Sequence, residues 1–180
     1  MSSKQIIIIS GAPGSGKSSV SKRLAETSEF DHSVHMHTDD FYGYIRKGYI
    51  SPWLLEAKEQ NTVIIEAFAA SVARLASGGY EVIVDGVIGP WFMEPWTALV
   101  RHGFTVKYII LRPDERTTIS RATGRNERTA LTDADVIRQI HCAFLGLGEF
   151  EKHVIDTTNL DIDETVKAIR KKTDAFLTVT

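Results

Sequence analysis

Short apolar runs alternate along the chain with segments that carry helix signals. The runs are rich in β-branched residues and are expected to form strands at Gln5–Ser10, Ser33–Thr38, Glu81–Asp85, Thr105–Leu111 and Lys152–Asp156. The first, third and fourth runs are almost continuously apolar, which is typical of strands covered on both faces. Strands that alternate with helices indicate βαβ units. The sequence therefore predicts an α/β protein whose mostly parallel sheet is covered on both faces.

The segments between these runs begin and end with residues typical of helix termini. Serine, threonine and proline occur at their starts, and glycines or basic residues at their ends. Helices are accordingly expected from Ser51 and Pro52 to about Ala76, at about Glu94–His102, after Pro113, from a capping box at Thr132 and Asp135, and from about Asp163 to Lys172.

The bulk composition narrows the class of protein. With 180 residues, 43% apolar and 24% charged, the chain suits one globular domain spanning residues 1–180. A net charge of −2 gives no reason to expect a nucleic acid or a membrane surface as a partner. The N-terminal run of four isoleucines is too short for a signal peptide or a membrane span. We therefore expect a cytoplasmic protein that is a monomer or a homodimer.

Cysteine and histidine are two residue types that could act as a nucleophile or as metal ligands. The only cysteine, Cys142, cannot form an internal disulfide, and its apolar neighbours lead us to interpret it as a core side chain rather than a nucleophile. Strand alternation places His35 and His37 on one face, but a zinc site would need further ligands that the pattern does not supply.

A glycine-rich segment, GAPGSGKSS, follows the first expected strand directly. It fits the pattern G-x-x-x-x-G-K-[ST], and the residues after it can begin a helix. Glycines allow backbone N–H groups to turn towards phosphate oxygens, and the helix N-terminus adds positive charge. Lys17 can reach the β- and γ-phosphates of a nucleotide, while the Ser18 hydroxyl can bind Mg²⁺. The expected nucleotide-binding residues are Gly11, Ala12, Gly14, Ser15, Gly16, Lys17, Ser18 and Ser19.

The order of these landmarks resembles that of the small P-loop kinases, which include shikimate and gluconate kinases, chloramphenicol phosphotransferase and the nucleoside monophosphate kinases. The resemblance covers most of the chain, although only the P-loop is specific by itself. It implies a three-layer α/β/α P-loop nucleoside triphosphate hydrolase fold with a five-stranded parallel sheet. It also implies an arginine-bearing lid at about residues 112–132 and a loop at residues 156–159 beside the adenine. ATP and Mg²⁺ are the implied cofactors.

Two adjacent carboxylates, Asp39 and Asp40, follow the second expected strand in HTDDFYG. In the kinases that this chain resembles, an aspartate at this place accepts the proton of the attacking hydroxyl. The resemblance makes Asp39, the nearer to the strand, the expected catalytic base. Asp40 can support Mg²⁺ or cap the following turn. The structural alternative is a pair of solvated loop carboxylates.

The resemblance assigns further roles to an aspartate and to a group of arginines. Asp85 ends the third strand, where related kinases keep an acidic group that acts on Mg²⁺ through water; a simple turn residue is the alternative. Arginines are dense after the fourth strand, at Arg112, Arg116, Arg121, Arg125 and Arg128. A helix would place Arg121 and Arg125 on one side, where lid arginines stabilise the transferring phosphoryl group. We expect both to be catalytic and Arg121 also to bind the nucleotide, with a solvated helix face as the alternative.

The acceptor is expected to be a small molecule with a hydroxyl group. In adenylate-kinase-like proteins an arginine follows the third strand shortly, whereas DGVIGPWFMEPW contains neither Arg nor Lys. Arg46 and Lys47 could replace it, so a nucleoside monophosphate kinase is one alternative. A nucleotide-binding regulatory protein without turnover is another. Aromatic residues that suit a sugar, an antibiotic or a nucleoside flank the expected pocket: Tyr42, Tyr44, Trp53, Trp91 and Phe92.

Overall fold

A computed structural model describes residues 4–124 and 131–178. In these ranges one parallel sheet contains the strands β1 (Gln5–Ser10), β2 (Ser33–His37), β3 (Glu81–Gly86), β4 (Thr105–Leu111) and β5 (Val154–Ile155). The helices are α1 (Lys17–Glu26), α2 (Thr38–Gly43), α3 (Lys58–Ser77), α4 (Glu94–Arg101), α5 (Glu115–Thr123), α6 (Ala134–Ala143) and α7 (Ile162–Lys171). None of the helices in the described ranges is both long and apolar enough to cross a bilayer. The predicted five-stranded parallel sheet is confirmed.

Alternate residues of the strands pack against different helices. On one face, Ile6 and Ile8 of β1 share a core with Phe68 of α3 and Trp96 of α4, and all four are fully buried. On the other face, Ile9 packs in a core formed with α1 and α7. This division follows from the two-residue period of a strand, and burial of each isoleucine contributes about 1.5–3 kcal/mol. The sheet is therefore the middle layer of an α/β/α arrangement.

The order of the strands determines where a ligand can bind. The sheet runs β2-β3-β1-β4-β5, so that β1 lies between β3 and β4. The chain thus adds β3 on one side of β1 and β4 on the other, which reverses the direction in which strands are added. In open α/β sheets, ligands bind beyond the carboxyl ends of the strands at such a reversal. There, Ser10 of β1 is level with Gly86 of β3, and His37 of β2 is level with Asp85. The ends of these three strands form the base of the candidate site.

The long third helix begins later than its sequence predicts. The predicted bounds of β1 and β4 agree with the structure, but the helix start at Ser51 and Pro52 is wrong, because α3 begins at Lys58 after one 3-10 turn. The side chain of Gln60 binds both the N–H and the carbonyl group of Ile50, at 2.9 and 2.7 Å. These two hydrogen bonds hold the preceding segment as a loop.

Three predictions in the C-terminal half are also corrected. The cap of α6 is Asp133 rather than Thr132, because the Asp133 carboxylate accepts hydrogen bonds from two backbone N–H groups of the first turn, at 2.9 and 3.2 Å. Cys142 is exposed and not a core residue, since the neighbouring His141 occupies the buried side of α6. The fifth strand is shorter than expected, because a 3-10 helix occupies the six residues before it.

Gly86 ends β3 against the first residue of α2 and leaves no room for a side chain. A Cβ atom at Gly86 would lie 2.1 Å from the hydroxyl oxygen of Thr38 and 2.9 Å from its methyl carbon. Overpacking of this kind costs about 1–3 kcal/mol, so Gly86→Ala should lower the melting temperature by roughly 2–12 °C in calorimetry. Gly43→Ala is the matched control at the other end of α2, because a Cβ there meets no atom within 4 Å. A melting temperature of Gly86→Ala equal to that of wild type would contradict this tight fit.

Candidate active site

The loop between β1 and α1 carries the glycine-rich motif and is packed closely against its neighbours. Gly11 and Gly14 have positive φ angles of 147° and 87°. A Cβ atom at Gly11 would lie 2.4 Å from the carbonyl oxygen of Leu111, and one at Gly14 would lie 2.2 Å from that of Thr118. Only glycine fits these two positions. The loop is thereby held against the end of β4 and against α5.

The side chains of the motif lie at the start of α1. The cap residue Gly16 is left-handed, with φ of 90°, and has no side chain that could accept from the first turn, whose N–H groups therefore suit an anion. Lys17 is 5% exposed and its amine donates to the carbonyl oxygen of Ala12 at 3.3 Å. The hydroxyl of Ser15 is buried and has no hydrogen-bond partner among the described residues. A buried hydroxyl of this kind can donate to an oxygen atom of a bound ligand.

The carboxylate of Asp85 connects α1 with β2 beneath this loop. Asp85 is fully buried at the end of β3. Its Oδ2 accepts a hydrogen bond from the hydroxyl of Ser18 at 2.5 Å, while its Oδ1 lies 2.7 Å from Nε2 of His35 and 2.9 Å from Nδ1 of His37. Burial raises the pKa of Asp85, but the hydrogen bonds from both histidines and the charge of His37 outweigh burial and hold this pKa well below its usual range. Asp85 is therefore ionised despite its burial.

The ring of His37 lies between two carboxylates. Its Nδ1 contacts Asp85, and its Nε2 lies 3.2 Å from Oδ2 of Asp39. The hydrogen bonds with Asp39 and with Asp85 raise the pKa of His37 to about 10. The ring is consequently an imidazolium at neutral pH, and both of its nitrogens donate. We refer to the arrangement Asp39–His37–Asp85 as the histidine bridge.

The two adjacent carboxylates lie in a helix rather than a loop. Asp39 and Asp40 occupy the first turn of α2, where the helix dipole favours negative charge. The side chain of Asp39 is 67% exposed to solvent. Loss of hydration raises its pKa, but the hydrogen bond from His37 and the positive charges of His37 and Lys17 lower this pKa by more, so that the net shift is downward. Both aspartates are exposed, but of the two only Asp39 contacts the ring of His37. The environment therefore distinguishes the two residues.

A metal site built from histidines is not supported. The described residues contain no group of three or more His, Cys, Asp and Glu side chains that could hold a metal ion. His35 and His37 both donate to Asp85 instead. Sequence reasoning considered these histidines only as metal ligands and missed their contact with Asp85. The sequence did indicate that both histidines lie on one face of β2. Their contact with Asp85 could be predicted only if β3 were known to be the neighbouring strand.

Two of the arginines after β4 have different environments. The guanidinium of Arg112 donates to both carboxylate oxygens of Glu151, at 2.9 Å each, and to the carbonyl oxygen of Phe144 at 2.8 Å. These contacts give Arg112 a structural role within the predicted lid region. Arg121 is exposed on α5 and donates to the carbonyl oxygen of Thr158 at 3.4 Å.

The position of Arg121 relates it to two segments predicted to bind the nucleotide. Its helix packs against the P-loop at Gly14, and its guanidinium touches the loop at residues 156–159. The lid itself is not shown, because Arg125 and Arg128 lie outside the described residues. The roles predicted for Arg121 and Arg125 stay predictions.

A cavity of about 1080 Å³ opens among these groups. Its lining includes Lys17, Ser18, His37 and Asp39, and therefore both the P-loop and the histidine bridge. Aromatic side chains form much of the remaining wall: Tyr42, Tyr44, Tyr49, Trp53, Trp91 and Phe92. The structure thus brings the five predicted aromatic residues together, and adds Tyr49.

The histidine bridge predicts an unusual titration of His37. In NMR spectra of the purified protein, the His37 ring should titrate near pH 10, with its signal assigned by comparison with His37→Gln. Asp39→Asn removes the largest cause of the shift and should lower the pKa of His37, whereas Asp40→Asn should leave it unchanged. A midpoint near the ordinary value of about 6.5 in the wild-type protein would contradict the bridge.

Comparison with known proteins agrees with this geometry. Residues 6–147 match a protein family described as an AAA domain. None of the curated proteins matches the chain. Among solved structures, the tunicamycin resistance protein of Deinococcus radiodurans is similar, with a TM-score of 0.65 and 19% identity over 98% of this chain and 99% of that one. A sugar kinase from Janibacter sp. HTCC2649 has a TM-score of 0.66 and 16% identity over 95% of each chain.

A third similar structure is larger. A chain of the Pnkp1/Rnl/Hen1 RNA repair complex matches 81% of this chain with a TM-score of 0.63 and 21% identity, and the match spans 45% of that chain. At these levels of identity the structural likenesses establish the fold, whereas the family match covers most of the sequence. The chain therefore belongs to the AAA-domain family and has the fold of the small P-loop kinases.

Proposed function

We propose that the protein transfers the γ-phosphate of ATP to a hydroxyl group of a small molecule. The observation that carries this proposal is the lining of the cavity, to which Lys17 and Ser18 of the P-loop contribute together with the ionised carboxylate of Asp39. A hydroxyl compound in the cavity can therefore approach a nucleotide phosphate and a carboxylate at the same time. The fold supports the proposal, because it is that of nucleotide-dependent phosphotransferases.

The residues of the P-loop suit a triphosphate bound with Mg²⁺. The first turn of α1 has no side-chain cap, so that its N–H groups can donate to phosphate oxygens, and the buried hydroxyl of Ser15 can donate as well. Ser18 and Asp85 offer the hard oxygen atoms that Mg²⁺ takes in addition to phosphates and water. When bound, Mg²⁺ would neutralise negative charge on the β- and γ-phosphates. Ser18 would bind the ion directly, and Asp85 would act through water.

The transfer step assigns one task to each side chain. Asp39 orients the acceptor hydroxyl and takes its proton as the oxygen forms a bond to the γ-phosphorus. The bond between that phosphorus and the oxygen bridging to the β-phosphate breaks, and ADP leaves with the electron pair. Lys17 stabilises the charge that develops on the phosphates. Arg121 is proposed to add positive charge from the side of α5, and Arg125 is proposed to add a second positive charge.

The charges in the cavity favour this proposal over its nearest rival. A nucleoside monophosphate kinase needs cations for a second phosphate, on the acceptor. Among the described lining residues, the cations are Lys17, the protonated His37 and Arg46. The first two lie at the P-loop and the histidine bridge, which leaves Arg46 for an acceptor phosphate. A nucleotide-binding regulatory protein without turnover, in contrast, does not require a catalytic base such as Asp39.

Replacement of the proposed base should affect turnover more than nucleotide binding. Asp39→Asn should lower kcat about 10²- to 10⁴-fold, because a neutral amide cannot accept the hydroxyl proton, while the Kd for ATP changes little. Asp40→Asn is the matched control in the same turn and should keep most activity. The assay is ADP release from Mg·ATP with pooled nucleosides, sugars, sugar acids, aminoglycosides and chloramphenicol.

Two results would count against this account. Loss of turnover in Asp40→Asn with full activity in Asp39→Asn would show that the base is the other carboxylate. The regulatory alternative would be favoured by two observations together. The wild-type protein would release ADP at the same rate with and without every acceptor, and the wild-type and Asp39→Asn proteins would bind ATP with the same affinity.

A further inference from the structure

The exposed aromatic side chains of this protein are concentrated in the cavity. Six Tyr, Trp and Phe side chains of the described residues are exposed, and four of them line the cavity: Tyr44, Tyr49, Trp53 and Trp91, with exposed fractions of 69%, 50%, 45% and 53%. The other two, Tyr80 and Phe176, lie elsewhere. Large apolar side chains that stay open to water in one place typically mark a binding site. The part of the cavity that lies away from the P-loop is therefore suited to an apolar or flat molecule.

Two of these rings pack against other aromatic side chains of the protein. The Trp91 ring packs against Phe144 with centroids 5.5 Å apart, and it lies so close to Gly89 that a Cβ there would be 2.3 Å from the ring. Tyr44 contacts Phe41 at 5.8 Å, and Phe41 packs edge-to-face on the buried Phe68 at 4.9 Å. Side chains that are already ordered lose little entropy when a ligand binds. The cavity thus presents preformed aromatic surfaces.

The polar groups of the cavity do not match a strongly anionic acceptor. Beyond the P-loop and the histidine bridge, the described lining has Arg46 as its cation and Asp40 as its anion, which balance in charge. Asn61 also lines the cavity, but its amide is engaged by the Tyr42 hydroxyl at 3.0 Å and by the carbonyl oxygen of Pro52 at 2.8 Å. Recognition would therefore rely on ring contacts more than on charge.

We infer that the acceptor is an uncharged hydroxyl compound with a flat aromatic or heteroaromatic ring, which packs against the aromatic side chains of the cavity. This inference rests on the proposed function, since it concerns the acceptor of the same site. Aromatic side chains stack on the faces of flat rings and so bind them with little regard to ring substituents. The hydroxyl that receives the phosphate would be carried on the part of the molecule that faces Asp39.

The test compares acceptors with and without the flat ring, and with and without a phosphate. Uridine is measured beside methyl β-ribofuranoside, which lacks the base, and beside UMP, whose 5′-hydroxyl carries a phosphate. Chloramphenicol is measured beside N-(dichloroacetyl)serinol, which lacks the nitrophenyl ring. We expect kcat/KM of phosphoryl transfer to be about 5- to 150-fold higher for a ring-bearing acceptor than for its ring-free partner, the range found for one stacked ring. UMP should be no better than uridine.

Variants of the aromatic wall test whether the preference arises in the cavity. Trp53→Leu and Trp91→Leu should raise KM for the ring-bearing acceptor by a larger factor than KM for the ring-free one. Tyr80→Leu is the matched control, because Tyr80 is exposed outside the cavity. Melting temperatures of all three variants identify any that fail to fold, and Tyr44→Leu provides a further wall variant in that case.

The outcomes separate this inference from the proposed function. Equal kcat/KM for ring-bearing and ring-free acceptors would overturn the inference and leave the kinase assignment intact. A clear preference for UMP, or phosphorylation of only a 5′-hydroxyl oligonucleotide, would also overturn it, in favour of a monophosphate or polynucleotide kinase. Absence of acceptor-dependent ADP with every compound would remove both the inference and the proposed function.

Discussion

The buried carboxylate of Asp85 is the group on which the arrangement of the site depends. An unpaired charge in this position would cost several kcal/mol, and the protein offsets that cost with three hydrogen-bond donors. Each donor comes from a neighbouring element: Ser18 from α1, and His35 and His37 from β2. Satisfying one buried charge therefore fixes the P-loop helix, the second strand and the end of β3 relative to one another. The contacts of Asp85 therefore order the site before any ligand binds.

The same carboxylate also explains why two adjacent aspartates can follow β2. Because His37 is protonated between Asp85 and Asp39, its positive ring attracts both carboxylates and holds Asp39, whereas Asp40 lines the cavity without such a contact. Asp40 lies in the same first turn of α2 and is exposed like Asp39, but it does not contact the ring of His37. A base held in this way needs little reorganisation during the reaction, which is the property that makes electrostatic catalysis effective. The two aspartates are adjacent in sequence, and the contact of Asp39 with His37 is what distinguishes them.

Much of this architecture could be predicted from local patterns. The bounds of β1 and β4 follow from continuous apolar runs, and the P-loop follows from glycines and a lysine placed between a strand and a helix. The histidine bridge could not be predicted, because it requires β2 to lie beside β3 with His37 level with Asp85. Strand order of this kind is decided by packing across the whole sheet. Helix α2 was missed for a related reason, since six residues carry too little periodicity to indicate a helix.

The remaining errors have equally local causes. Pro52 resembled a helix start, but the side chains of Gln60 and Asn61 bind the backbone of this segment and keep it as a loop. Cys142 has apolar neighbours in sequence, yet the rotation of α6 places His141 inwards and the thiol outwards. Sequence neighbours on a helix point in different directions, so an apolar context does not by itself bury a residue.

The fate of the γ-phosphate tests the central claim most directly. Phosphorus-31 NMR would follow Mg·ATP in the presence of pooled hydroxyl compounds, with Lys17→Ala protein as the blank. We expect the γ-phosphate signal to be replaced by that of an organic phosphate monoester, with one ADP formed for each ester. Appearance of inorganic phosphate alone, at the rate seen without acceptors, would contradict a kinase and leave the histidine bridge without its proposed task.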